Sequence, residues 1–527
     1  MHFTHLSKKA DSYFNLDNSI KSYQEKLTDE FKGLPFKIEN FEKQIQLKQN
    51  SYDLENREVL SKVLNNSYKH VHKGQKLQQN LIDINKSNTF TVTTGHQLNL
   101  FLGPAYFFYK IIHVIAICDR LVQEYPKYNF VPVFWMASED HDYEEIKSTT
   151  IFGEKLTWET DQIGCVGDFC YDNHLKDIVL KFKTLFQNSN KSDIYNLIDS
   201  YQGVNLSEAT FNFLNALFGE KGLVVLDPNN KKLKTLSKNL FIKELTETPL
   251  FKFVSKTNET ILKSGLKPQA FVREINLFFI KNGTQRTRIV KEDNLYKVGE
   301  KKYTKKQILE ILENSPECFS PNVLLRPLYQ ELILPNLCYI GGESENKYWM
   351  QLKSSFDENE LIYPILGKRK SILYLSKSIA KKINKIGLPL ESFFLNETQI
   401  LEEYLLHNQS NINWELVDAS FATYKEKISN TYEKLDASLI SSLNAEFKKI
   451  LNSHIAIKKR INKENKNRFT VVKSNIQKVK YSFFPDGFFQ ERVLHFFNFC
   501  GEGNLDLLTI LNEKIEPFND SLLIINE

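Results

Sequence analysis

Glu139-Asp140-His141-Asp142 sets three carboxylates around one imidazole, directly after the apolar run FVPVFWMAS. Carboxylates that close repel one another when ionised, and a cationic substrate group, a metal or a shared proton relieves the repulsion. A carboxylate beside an imidazole is also a candidate general base, since histidine titrates near neutrality. No second histidine stands at ligand spacing, so acid–base chemistry is favoured over a metal. A helix N-cap before YEEI accounts for Asp140 or Asp142 but not for the whole set. A second cluster is Thr93-Thr94-Gly95-His96-Gln97, with Lys110 further on. A strand, a glycine turn and a helix start there would aim backbone N–H groups at an anion, within reach of His96 and Gln97. Third, FSPNVLLRPLYQELILPNLCYIGG carries Arg326 and Gln330, four apart and so on one helical face. Asn336 then opens a strand, and Gly341-Gly342 ends it where backbone can approach a ligand closely. Cys338, between Leu337 and Tyr339, reads as core rather than nucleophile. Last, Phe484, Gln490 and Arg492 in FFPDGFFQERV offer a ring for stacking with polar groups beside it, or else simply close the core.

The elements that must position these groups follow from pattern. TFTVTT (89–94) is β-branched and reads as a strand, and AYFFYKIIHVIAICDRLVQEY has the length and spacing of a helix closed by Pro126. FVPVFWMA is apolar at both parities, as in a parallel strand covered on both faces. Strand, helix, strand makes a βαβ unit of an open α/β sheet, whose ligand crevice lies beyond the carboxyl ends of the strands. The GHQ and EDHD clusters should therefore face one crevice. Further strands are expected at 222–227, 275–280, 287–290, 337–342 and 361–366, with insertions over about 151–220 and 245–320. Between Pro389 and Pro485 there is neither Gly nor Pro, a sign of long helices. From Phe421 to Ile461 apolar residues recur every three or four positions, a helical stripe roughly 60 Å long that needs a partner. This gives a core over 1–388, a helical coiled-coil domain over 389–480, and a segment, 481–527, packing back on the core.

A chain of 527 residues suggests two to four domains, and 41% apolar against 25% charged residues suits a large core under a solvated surface. Net charge is only +5, so nucleic acid is not implied. Six scattered cysteines without a CxxC pair favour a reducing compartment. The N-terminus lacks a signal-peptide core, and Lys110 and His113 interrupt the most apolar stretch, so a cytoplasmic protein without a membrane span is expected.

Thr93-Thr94-Gly95-His96 fits the T/H-x-G-H pattern of nucleotidyltransferases and class I synthetases, whose motif contacts phosphates in adenylyl transfer; GKRKS (367–371) is loosely similar to their mobile lysine-serine loop but reads first as a solvated basic loop. More specifically, TTGHQLNLFLGP, VPVFWMASEDHDYEEI, GLVVLDP, FSPNVLLRPLYQELILPNLCYIGG and FFPDGFFQER, in this order, resemble the bacillithiol biosynthesis cysteine-adding (cysteine ligase) family, from about residue 90 to the end. The resemblance implies an α/β, Rossmann-like parallel sheet core with two connecting insertions, a projecting helical coiled coil and homodimerisation through it. It also implies amide formation between cysteine and glucosaminyl malate, the last step of bacillithiol assembly. Many members read TGQQ where this chain has TGHQ, and Glu343-Ser344-Glu345-Asn346 lacks their common Pro. On this reading ATP activates a carboxylate, Gly95 and Gln97 cradle an anion, Asp140 and Asp142, next to Glu139, hold an ammonium, His141 takes its proton, and Arg326 and Lys110 pair with malate or phosphate. Rival classes are a synthetase acting on tRNA and a non-catalytic coiled-coil scaffold.

Overall fold

The structure, a computed structural model, describes residues 2–9, 31–186, 192–281, 285–408, 413–501 and 505–527. Five parallel strands form the central sheet: β1 (Thr89–His96), β2 (Asn129–Met136), β3 (Val224–Leu226), β4 (Asn336–Gly341) and β5 (Ile365–Lys368). Their spatial order is 3-2-1-4-5, the order of a Rossmann-like sheet. It reverses direction between β1 and β4, and that is where a crevice must open. The expected strand at 361–366 begins later, after Pro364. The segments read at 275–280 and 287–290 are strands of a separate antiparallel sheet, in which Leu277–Lys281 pairs with Gln285–Glu292.

Helix α1 (Ala105–Glu124) explains much of the core. Phe107, Phe108, Ile111, Ile112 and Ile115 join one apolar cluster, while Val114, Ile117 and Leu121 join another with Phe90, Val92 and Leu337. Up to Cys118 the helix is apolar nearly all round and buried, and each such side chain contributes about 1.5–3 kcal/mol on burial. Lys110 and His113, buried within it, must then find partners. His113 donates from Nε2 to the Pro517 carbonyl (2.7 Å) and accepts the Lys370 N–H at Nδ1 (3.1 Å). Lys110 finds the partners described below.

The chain divides into two units, one of His2–Tyr374 with Glu491–Ile525, the other mainly Leu375–Gln490. In the second, the apolar stripe is not one helix. α4 (Trp414–Leu435) stops at Asp436, which turns extended and accepts the Ser438 N–H (2.9 Å) with its carboxylate; α5 (Ile440–Phe483) then runs for 44 residues. The two halves fold onto each other: Phe421 and Tyr424 meet Phe447, and Asp418 binds His454 (2.8 Å) and Lys458 (2.7 Å). The stripe is thus partner to itself only in part, burying Phe447 while Tyr424, Ile450 and Ile457 stay exposed, and an Asp-Ala-Ser break needs neither Gly nor Pro. Among the described residues no helix is long and apolar enough to cross a membrane.

Candidate active site

Two clusters stand at the carboxyl ends of the strands. Over the switch point between β1 and β4, Lys110 reaches up from α1. Its ammonium donates to the Gly95 carbonyl (2.8 Å) and to Glu345 Oε2 (2.7 Å). Glu345 lies in the first turn of α3 (Glu343–Met350), accepting the Gly342 N–H (2.7 Å) and the Tyr339 hydroxyl (2.7 Å). Burial alone would raise this carboxyl; Lys110, the Gly342 N–H and His96 outweigh it and hold it at about 2. The Lys110 charge is therefore already paired within the protein, where the sequence suggested a cation free to meet a substrate.

Arg326 differs. It opens α2 (Arg326–Ile333), and its guanidinium donates to Gln330 Oε1 (2.9 Å) and the Tyr348 hydroxyl (2.9 Å), flanked by the rings of Tyr339 and Trp349. Both partners are neutral, and among the described residues no carboxylate lies within ion-pair distance of it. Its charge is met only from a distance, by Glu345, and not by an ion pair. Gln330, fully buried, also donates to Glu331 (3.1 Å), so it orients Arg326 from below.

His96 ends β1 with Nε2 2.7 Å from the Tyr106 hydroxyl. Burial, then Lys110, lowers its pKa to about 4, so the ring is neutral. Gly95 does not turn the chain. It is paired with Trp135 inside the strand, where a Cβ would lie 3.0 Å from the Trp135 carbonyl; close strand packing, not a turn, selects glycine. α1 begins only at Ala105, whose N–H is taken by the Leu494 carbonyl (2.8 Å), so the expected anion cradle of turn and helix start is not formed.

Over β1 and β2, Gln97 donates to Asp140 Oδ2 (2.8 Å) and Glu145 Oε2 (2.7 Å). Asp140 Oδ1 accepts the N–H groups of His141 (2.7 Å) and Asp142 (3.3 Å), a carboxylate turn rather than a helix cap. His141 and Asp142 are exposed beside it. Nδ1 of His141 faces Arg286 Nη1 at 3.1 Å, and burial followed by Arg286 lowers the imidazole pKa. The GHQ and EDHD clusters are thus joined directly. Glu139 leaves the group: it forms an ion pair with the fully buried Lys234.

Four other expected residues sit elsewhere. Asn336 is at the amino end of β4, fully buried, linking Thr93 (2.8 Å) to Glu331 (2.6 Å); it belongs to the opposite end of the sheet from Gly341 and Gly342. Gly341 is dictated by Asn346, whose Oδ1 would lie 2.6 Å from a Cβ there. Phe484 and Gln490 belong to the helical unit, where Lys480 covers the Phe484 ring at 4.4 Å and Gln490 donates to the Ser482 carbonyl (2.9 Å); Arg492 is an exposed residue of the other unit. Residues that sequence reasoning missed are Glu145, Glu345, Tyr348 and Arg286, and in GKRKS, read as a solvated loop, Arg369 is instead buried and paired with Glu491 (2.6 Å). Only Glu345 carried a signal, a glutamate three positions into a helix that starts at glycine.

Residues 1–370 match the family described as "Bacillithiol biosynthesis BshC, N-terminal Rossmann-like domain", and residues 372–527 match "Bacillithiol biosynthesis BshC, C-terminal coiled-coil domain". "Putative cysteine ligase BshC" of Flavobacterium johnsoniae is 35% identical over 527 residues, covering 99% of this chain and 97% of that protein. The protein of the same name in Christiangramia forsetii is 34% identical, with 99% and 98% covered. In Bacillus cereus the namesake is 27% identical, with 85% and 86% covered. The chain belongs to the bacillithiol biosynthesis BshC family.

Proposed function

We propose that this protein is a cysteine ligase of bacillithiol biosynthesis, joining the carboxylate of L-cysteine to the amine of glucosaminyl malate in the last step, with ATP as the activating substrate. The observation that carries the reading is end-to-end similarity to relatives named cysteine ligase. The crevice chemistry agrees with it. Arg326 forms no ion pair among the described residues and suits a substrate carboxylate or a phosphate through charge-assisted hydrogen bonds. Asp140, Asp142 and Glu145 make the neighbouring side anionic, fit for an ammonium.

Amide formation from a free carboxylate is uphill in water. A cysteine carboxylate oxygen attacks a phosphorus of ATP, releasing pyrophosphate or ADP. The glucosamine nitrogen then attacks the acyl carbon and expels AMP or phosphate. The test is mass spectrometry of purified protein incubated with L-cysteine and glucosaminyl malate, with and without magnesium ATP. Product only with ATP is expected. Product without ATP would remove the activation step, and none under either condition would remove the ligase assignment. We also place the protein in the cytoplasm, where both substrates and ATP are at hand, and propose that two copies pair through the helical unit, where Leu406, Leu416 and Ile457 stay exposed.

A further inference from the structure

The imidazole of His141 has a fixed partner on one side. Arg286 lies on the antiparallel sheet of the second insertion, in the strand Gln285–Glu292, and its guanidinium is held on every edge. Nε donates to Ser320 Oγ (3.0 Å), Nη2 donates to the Pro321 carbonyl (2.7 Å), and the plane lies over the Phe278 ring at 4.1 Å. One of the hydrogens on Nη1 points at His141 Nδ1, 3.1 Å away. His141 itself packs against Phe278, ring centroids 5.6 Å apart. An arginine only donates and stays charged throughout the working pH range. Asp140 Oδ1 also lies 3.7 Å from Nδ1, beyond hydrogen-bond reach, so the hydrogen bond at 3.1 Å is the one to Arg286; Nδ1 is then the acceptor, and the neutral ring carries its hydrogen on Nε2. A ring in that state has no free lone pair and cannot act as a base without breaking from Arg286.

We infer that Arg286 is a positioning residue that locks His141 as the Nε2–H tautomer, so that His141 serves as a neutral hydrogen-bond donor to the acyl oxygen and not as the general base. This rests on the ligase reading and names the role of one of its residues. When the amine lone pair forms the C–N bond to the acyl phosphate or acyl adenylate, the carbonyl π pair moves onto oxygen, and the Nε2–H bonds to that oxygen. The pair returns to remake the carbonyl as the C–O bond to phosphate or AMP breaks. The proton lost by nitrogen goes to the Asp142 carboxylate, beside the ring, and on to solvent. Donors placed at a developing oxyanion are worth about 100–1,000-fold in rate.

Two measurements test the inference. Nitrogen NMR of 15N-histidine-labelled full-length protein, with the His141 signals assigned by their loss in His141→Gln, reads the tautomer without turnover. Nδ1 should appear unprotonated and Nε2 protonated in the wild type, and Arg286→Ala should mix the tautomers. The charged groups facing the ring are Asp140, Asp142, Arg286 and Arg288, so Arg286→Ala should also raise its pKa. In the ligase assay, His141→Gln, whose amide places an N–H near the Nε2 position, should stay within about tenfold of wild type, while His141→Ala falls about 100-fold or more. A protonated Nδ1 in the wild type overturns the inference, as does a folded His141→Gln as inactive as His141→Ala. Wild-type protein that makes no product at all would overturn the ligase reading instead, leaving the tautomer result to stand or fall on the NMR.

Discussion

Lys110 and Glu345 decide how the switch-point crevice is built, because each leaves the other a buried charge if removed. Lys110 is 2% exposed and Glu345 27%. Taking one partner from a buried ion pair costs about 3–5 kcal/mol, with the lower figure apt for a glutamate partly open to water. Lys110→Met should therefore lose about 3 kcal/mol in urea unfolding, and the double variant Lys110→Met/Glu345→Gln should recover most of it. Equal losses in single and double variants would show that the pair does not hold the crevice. This pairing marks the limit of the sequence. Lys110 was visible as a lysine inside an apolar helix, but nothing in one dimension shows that residue 345 neutralises it. Glu139 departs for the same reason. Four adjacent letters looked like one cluster, yet the backbone turn at Asp140 sends Glu139 toward Lys234 while Asp140 turns to Gln97.

At the scale of elements, periodicity announced the helical stripe from Phe421 to Ile461 but not its fold. A stripe looks the same whether it runs through one helix or two, and Asp436 breaks it by capping its own turn, a device as common on a helix surface as in a loop. Once folded into a hairpin, the stripe covers Phe447, which is 5% exposed, while Leu406, Leu416 and Ile457 remain 73%, 65% and 57% exposed. Large apolar residues scattered singly need no explanation, but several on one slender helical unit mark a surface that meets a partner. Light scattering should therefore give about twice the 61.6 kDa chain mass for the wild type, and about one chain mass for Leu406→Glu/Leu416→Glu/Ile457→Lys. A monomeric wild type at assay concentration would end the idea of a second copy.

For the whole molecule, the α/β order was legible because parallel strands covered on both faces carry apolar residues at both parities, as in β2. What burial does to titrating groups was not legible, and it sets how the protein meets acid. His96, His113 and His495 are all lowered by burial to about 4, against 6.5 for a free histidine. Between those values the unfolded chain binds three protons that the folded one refuses, so their contribution to stability falls as pH falls. Asp168, raised by burial and by Asp227 to about 6, and Glu244, raised by burial to about 7, act in the opposite sense. Their folded forms take up protons first, so the stability they contribute is present at low pH and lost as pH rises. His141, lowered by burial and by Arg286, joins the histidines, while Asp227 and Glu331, raised by burial, join Asp168 and Glu244, so near pH 5 the loss from the histidines on acidification is opposed by four carboxyls. Below about 4.5 Glu345, held at about 2, joins the histidines and steepens the loss. Glu244→Gln separates the two sides, because glutamine keeps an acceptor for the Asn276 N–H groups but cannot ionise. That variant should be more stable than wild type at pH 8, where burying the charged glutamate is a cost, and between pH 6 and 5 its slope should exceed that of wild type by about one proton, or about 1.4 kcal/mol per pH unit. Urea midpoints across this range measure both effects, and a Glu244→Gln profile parallel to that of wild type would show that the fold does not hold Glu244 protonated.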